Sequence, residues 1–169
     1  MLPVIKGLQG IDIGCGEGHN TRLLAKQGAR VTGIDIAALF IEKAQEWERH
    51  EPLQISYQVA SAVALPFIGQ SFDFATSFMC FMDIPETEKV LGEAYRVLKP
   101  GGFLQFSILH PCYTTLHRKN LWDANSTAYA VEIGGYFADP DGFIDEWIFT
   151  AAPPELLQRL PVFRILTVL

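Results

Sequence analysis

Cysteine is scarce in this chain, with three among 169 residues, Cys15, Cys80 and Cys112. They form no C-x-x-C pair, and an odd, uneven set argues against a disulfide framework and for a reducing compartment, the cytoplasm. His110, Cys112 and His117 lie close together, but no second Cys/His pair completes a tetrahedral set, so no metal is expected. Basic residues are also few: 13 Lys and Arg against 19 Asp and Glu leave a net charge of −6. Such a surface repels phosphate backbones, so no nucleic-acid partner is expected, and His117, Arg118 and Lys119 read as a solvated loop. Long hydrophobic runs are missing as well. The most apolar segment, Phe72 to Ile84, is interrupted by Asp73 and Asp83 and is too short to cross a bilayer. The N-terminus shows no basic region leading into an apolar stretch and cleavage site. No membrane partner, internal repeat or low-complexity tract is expected.

What is present is an apolar fraction of 49% with 19% charged residues, enough for one packed domain. Short apolar, β-branched runs predict buried strands at Gly10 to Gly14, Val31 to Ile34, Ile55 to Val59, Phe72 to Phe78 and Phe103 to Leu109. Helical spacing falls between them. Asn20 to Gln27 carries Leu23 and Leu24 and stops at Gly28. In Ala37 to His50, the residues Phe40, Ala44 and Trp47 share one face. In Pro85 to Leu98, the apolar face is Val90, Leu91, Ala94, Tyr95 and Leu98. Pro85, Glu86 and Glu88 start that helix, and Lys99-Pro100-Gly101-Gly102 stops it. Alternation of this kind predicts an α/β fold, a doubly wound and mostly parallel sheet with helices on both faces.

The segment Asp12-Ile13-Gly14-Cys15-Gly16-Glu17-Gly18 sits between a strand and a helix. Its glycines permit a sharp turn and let a ligand lie against bare amides, and the helix that follows offers unpaired N–H groups. A tight turn without a ligand reads equally well from the glycines alone. Asp35 ends the second strand in Gly33-Ile34-Asp35-Ile36. A carboxylate there can accept from both hydroxyls of a ribose, or cap the next helix. Its position seventeen residues past Gly18 suits the ribose role.

Taken in order, D-I-G-C-G-E-G, V-T-G-I-D-I, A-L-P-F, S-F-D-F-A and R-V-L-K-P-G-G closely resemble the class I, Rossmann-like S-adenosylmethionine (SAM)-dependent methyltransferases of small-molecule type. The matches span roughly residues 10 to 109. NAD-binding Rossmann proteins place the third glycine one position later, where this chain has His19, and lack the R-V-L-K-P-G-G turn. An NAD-dependent oxidoreductase is therefore the weaker reading.

The resemblance implies a role for each matched residue. Gly14, Cys15 and Gly16 would line the methionine part of SAM, and Gly18 would let the helix begin. Asp12 would help hold the methionine amino group through water, Asp35 would take the ribose hydroxyls, and Ile36 would pack on adenine. Ser61 and Ala62 fall at the adenine edge, and Phe78 and Met79 end the fourth strand beside the cofactor. Position 61 departs from the family, which commonly places an acidic residue there. Serine can still accept, through a neutral and weaker bond, or can simply cap a turn.

SAM would bring a reactive sulfonium, leaving the protein to bind, align and shield. His110, just after the fifth strand, is the candidate proton acceptor, with Tyr113 a second candidate. Trp122, Tyr136, Phe137 and Trp147 read as packing residues or as walls of an apolar substrate pocket. The expected organisation is a single domain: residues 1–109 as the SAM-binding core, 110–152 as a substrate-side insertion, and 153–169 as a shortened C-terminal part. In that last part Pro153, Pro154 and Pro161 interrupt the chain, and only Phe163 to Leu169 reads as a strand. Nine residues before Gly10 are too few for the family's usual leading helix. The expected function is methyl transfer from SAM to a small molecule, yielding S-adenosylhomocysteine. The alternative is a SAM-binding domain or truncated fragment with little catalysis. With the usual last strands missing, the fifth strand is expected near an open edge, which predicts self-association, low activity, or both.

Overall fold

Ile11 and Ile13 are wholly buried on β1 (Gln9–Ile13), because that strand has a neighbour on each side and helices above and below. The computed structural model describes residues 4–110, 117–135, 143–147 and 160–164. Around β1 stand β2 (Arg30–Asp35), β3 (Ser56–Val59), β4 (Phe72–Phe78) and β5 (Leu98–Ser107), with α1 (His19–Lys26), α2 (Ala38–His50) and α3 (Thr87–Val97) between them. The sheet order is β3-β2-β1-β4-β5, and every adjacent pair is parallel. The chain steps outward from β1 to β3, then returns to β4 and steps the other way. Right-handed crossovers therefore place α1 and α2 on one face and α3 on the other. The reversal between β1 and β4 is the point where ligands bind in open α/β sheets, beyond the carboxyl ends of the strands.

The core on the α1 side gathers Ile5, Leu24, Ala29, Val31 and Phe74. Phe74 lies where a side chain at Gly10 would stand. A second cluster of Ile41, Ala44, Ile55 and Tyr57 seats α2 on β3. Each fully buried aliphatic side chain contributes about 1.5–3 kcal/mol. Arg22, only 8% exposed, ties α1 to α2 through Glu48 at 3.0 Å and Glu51 at 2.7 Å.

Three helix faces differ from the expectation. On α2 the buried residues are Ile41 and Ala44, while Phe40 and Trp47 are 43% and 55% exposed. At 100° per residue the buried stripe centres between positions 41 and 44, which leaves Phe40 and Trp47 on its flank. On α3 the buried residues are Val90, Ala94 and Val97, and Tyr95 points to solvent. On α1 Leu24 is buried, whereas Leu23 is half exposed. The fifth strand also begins earlier than Phe103, because Leu98 already pairs with Phe72 ahead of an irregularity in the register.

The chain divides into two compact units, Met1–Phe81 with Glu86–Ile108, and Met82–Pro85 with Leu109–Leu169. The second contains strands where the sequence showed no clear alternation. β6 (His117–Trp122) and β7 (Ala128–Gly134) form an antiparallel hairpin. In its turn the Asp123 carboxylate accepts from the N–H groups of Asn125 and Thr127. The basic residues His117, Arg118 and Lys119 therefore lie on a strand rather than in a loop. β8 (Phe143–Trp147) pairs with β9 (Leu160–Arg164). Pro161 stands within β9 instead of interrupting it. Pro153, Pro154 and residues 165–169 lie outside the described residues.

Candidate cofactor site

At the carboxyl end of β1 the chain turns through Gly14, Gly16 and Gly18, with φ of 72°, 53° and 84°. The turn is held from β2. The N–H groups of Gly14 and Cys15 both donate to the Ile34 carbonyl at 2.9 Å, and Gly18 N–H donates to the Cys15 carbonyl at 3.0 Å. Asp35 then holds its centre: one carboxylate oxygen accepts from Gly16 N–H at 2.9 Å, and the other accepts from Ala37 N–H at 2.9 Å. Asp35 thus acts on the glycine turn and on the start of α2 together.

Gly18 has a left-handed backbone, and a Cβ there would overlap the ring and hydroxyl of Tyr57. The Tyr57 hydroxyl approaches the Gly18 carbonyl at 3.5 Å, and burial pushes its phenol well up. Gly16 differs, because a Cβ there would meet nothing within 4 Å and would enter open space. Beneath the turn, Cys15 has its thiol pushed far up by burial and then by the charges of Asp12 and Asp35. A neutral, enclosed thiol is a wall and not a nucleophile.

Asp12 is 1% exposed, and both of its oxygens are taken. Thr21 on α1 donates to one at 2.6 Å, and Thr76 on β4 donates to the other at 2.8 Å. Burial raises the Asp12 carboxyl above its ordinary range; the two hydroxyls draw it back, and Asp35 adds a smaller push upward.

Along the rim, Ile36 is 74% exposed just after β2. Ala60 N–H donates to the Asp35 carbonyl at 2.9 Å, which brings the segment carrying Ser61 and Ala62 beside Asp35. Ser61 Oγ accepts from Val63 N–H at 3.4 Å, a turn contact, and leaves its hydroxyl proton to donate elsewhere. Phe78 closes β4. Met79 follows in a left-handed conformation, φ 56°, with its N–H on the Ser107 carbonyl at 2.9 Å. A non-glycine residue held there at the switch point stores backbone strain of the kind that collects at binding sites.

The first unit therefore brings together Asp12, Gly14, Cys15, Gly16, Gly18, Asp35, Ile36, Ser61, Ala62, Phe78 and Met79 around the ends of β1, β2, β3 and β4. His110 belongs to the second unit and is exposed. Tyr113, Tyr136 and Phe137 lie outside the described residues, and Trp122 is 58% exposed on β6. Among the described residues no three His, Cys, Asp or Glu side chains gather as metal ligands, and no helix is long and apolar enough to cross a membrane. Sequence reasoning missed Thr21, Thr76 and Tyr57. Thr21 opens α1 three residues past Gly18, while the other two carry no local signal.

The residues present fit an adenosine-type cofactor. Open space faces Gly16, and Asp35 is half-buried with acceptor capacity left on both oxygens. Ile36 offers an uncovered apolar surface, and the α1 N-terminus has no side-chain cap. Sheet, switch point and turn define a Rossmann-like domain of the methyltransferase class. Residues 11–106 match the model of the family described as Methyltransferase domain, and the chain belongs to that family. It is 33% identical over 106 residues to a ubiquinone biosynthesis O-methyltransferase of Coxiella burnetii, covering 63% of this chain and 45% of that protein. It is 38% identical over 105 residues to a demethylmenaquinone methyltransferase of Tropheryma whipplei, covering 62% and 43%. Among solved structures, an S-adenosylmethionine-dependent methyltransferase from Mesorhizobium loti superposes with a TM-score of 0.71 at 28% identity, over 82% of this chain and 63% of that one. The chain thus spans under half the length of these two curated relatives.

Proposed function

We propose that this chain binds S-adenosylmethionine and takes part in transferring its methyl group to a small-molecule acceptor of quinone type. The observation that carries the reading is the Asp35 carboxylate, fastened to the Gly16 and Ala37 amides at the carboxyl end of β2. Family membership and the two quinone-methylating relatives support the activity and the acceptor class.

When bound, SAM supplies an electrophilic sulfonium methyl; the chain's residues bind it, orient it and exclude water. Asp35 accepts from the ribose hydroxyls, and Ile36 covers one face of adenine. Ser61 and Ala62 meet the adenine edge. Gly14, Cys15 and Gly16 present bare backbone to the methionine part, while Gly18 lets α1 begin close by. Asp12, 1% exposed and held by Thr21 and Thr76, bears on the methionine amino group through its buried charge and not through water. Phe78 and Met79 form the wall on the β4 side. His110 accepts the acceptor's proton, with Tyr113 as a second candidate.

Residues 1–109 serve as the cofactor-binding core, 110–152 as the substrate side and 153–169 as the C-terminal part of one functional domain. A cytoplasmic location goes with this reading, supported by the free thiol of Cys15.

Calorimetric titration with SAM and with NAD tests the cofactor, and detection of S-adenosylhomocysteine with a quinol acceptor tests transfer. Binding of SAM with product formation is expected. NAD binding in its place overturns the reading, and SAM binding without product leaves a cofactor-binding domain only. His110→Ala is expected to lower turnover sharply while SAM affinity stays as it was.

A further inference from the structure

Thr21 and Thr76 come from opposite ends of the first unit's sequence and meet on one carboxylate. Thr76 lies directly across from Asp12 in the β1–β4 register, on the face of the sheet that α1 covers. Thr21 approaches from the first turn of α1, so Asp12 is gripped between strand and helix. Both threonine side chains are fully buried, and the two hydroxyls take different oxygens. A hydroxyl has one proton to give. Thr76 also has the Ile11 carbonyl within 3.5 Å, yet Asp12 at 2.8 Å is the closer acceptor.

We propose that Thr21 and Thr76 are positioning residues for cofactor binding: their hydroxyls hold the buried Asp12 carboxylate in place, and through it fix the start of the glycine turn against β4 and α1. Five residues separate Ile13 from His19, and Asp12 joins the two ends of that segment. Without the clamp, the turn keeps its contacts to Ile34 and Asp35 on β2, while the strand that leads into it loses the Asp12–Thr76 hydrogen bond to β4.

The charge argument agrees with the geometry. An ionised carboxylate cut off from water persists only when hydrogen bonds stabilise it. The other titratable groups near Asp12 act against ionisation or do nothing for it. Asp35 on β2 is of like charge, Cys15 in the turn is a neutral thiol, and Tyr57 on β3 is a neutral phenol. No cation contributes among the causes that set the Asp12 carboxyl. The two hydroxyls are what counters part of the burial.

This inference rests on the SAM reading only in its last step, and the test separates the two. Asp12 is followed by carboxyl-carbon NMR in the cofactor-free protein, for wild type, Thr21→Val, Thr76→Val and the two Thr→Ser variants. The valine variants are expected to move the Asp12 midpoint up by about one pH unit or more, and the serine variants to leave it in place. SAM affinity by calorimetry is expected to fall at least about tenfold in the valine variants and to recover with serine. An unmoved midpoint in the valine variants overturns the clamp. A moved midpoint with unchanged SAM affinity overturns its role in cofactor binding. Wild-type protein that binds no SAM refutes the functional reading, while the midpoint still decides the clamp. If a valine variant does not fold, Thr→Ala at the same position gives the same readings.

Discussion

Asp35 grips the amide of Gly16 from nineteen residues away, at 2.9 Å, while its other oxygen holds Ala37. One side chain thus links the cofactor turn to the start of α2. Removing it acts on the turn itself as well as on the proposed ribose contact.

Asp35→Ala is accordingly expected to weaken SAM binding by about 1.5–3 kcal/mol, ten- to a hundredfold. Calorimetry reads the affinity, and amide hydrogen exchange reads Gly16, whose N–H loses its acceptor and exchanges faster. The strands persist, because Asp35 stands at the end of β2 and not in the core. Unchanged SAM affinity in a folded variant removes Asp35 from the site.

Gly18→Ala tests the Tyr57 contact. The left-handed backbone costs an alanine about 1–2 kcal/mol, and overlap with the Tyr57 ring adds about 1–3 kcal/mol. At about 2–4 °C per kcal/mol for a chain of this length, the melting temperature drops by roughly 4–20 °C. Tyr57→Phe removes only a 3.5 Å contact and is expected to cost under about 1 kcal/mol. Thermal unfolding compares the two, and an equal effect of both contradicts the packing argument.

Asp12→Asn is expected to raise stability at neutral pH. Burial lifts the folded-state carboxyl above its unfolded value of about 3.9. The contribution of this group to stability is therefore complete below the unfolded value and is lost as pH rises through the raised folded value. The amide has no charge to lose, so its advantage over wild type grows across that window and then levels off. Urea unfolding from pH 4 to 8 measures it. Parallel curves for the two proteins rule the shift out.

Ser61→Asp is expected to tighten SAM binding by about 1 kcal/mol, roughly fivefold. An aspartate can still accept from Val63 N–H and turn its second oxygen to the adenine amino group. Weaker binding in calorimetry means that another group holds that edge.

β5 is the outermost strand of its sheet among the described residues, and no charge interrupts residues 101–109. Phe106 on it and Ile108 just beyond it are nearly half exposed. Edges without charge invite pairing, so self-association is expected in light scattering, and Ile108→Lys is expected to reduce it. A wild-type monomer at high concentration excludes association through this edge.

Much of the first unit was legible in the sequence because its strands are short, apolar and largely buried, and glycine and proline mark where its helices stop and start. Phe72–Phe78 matches its expected bounds for that reason. The second unit was not legible. Residues 128–133 on β7 are all exposed, so no buried face imposed an alternation to find. The glycine turn and Asp35 were visible as motifs. Thr76 was not, because a threonine in a strand reads as an ordinary β-former and its partner lies 64 residues away; Thr21 was not, because its bond back to Asp12 forms only once α1 has folded over β1. Phe40 and Trp47 misled because bulk suggested burial, while one residue of helix rotation decided otherwise.

The same 64-residue separation sets an order of events during folding. Gly14, Cys15 and Gly16 meet Ile34 and Asp35 within the first 35 residues, so that half of the site needs only β1, α1 and β2. The second grip on Asp12 waits until Thr76 has been synthesised and β4 has docked on the far side of β1. Closing that longer loop carries the larger entropic cost. A nascent chain ending before β4 therefore carries a half-made turn whose Asp12 carboxylate has only its Thr21 grip, and the pocket is completed as the sheet is completed.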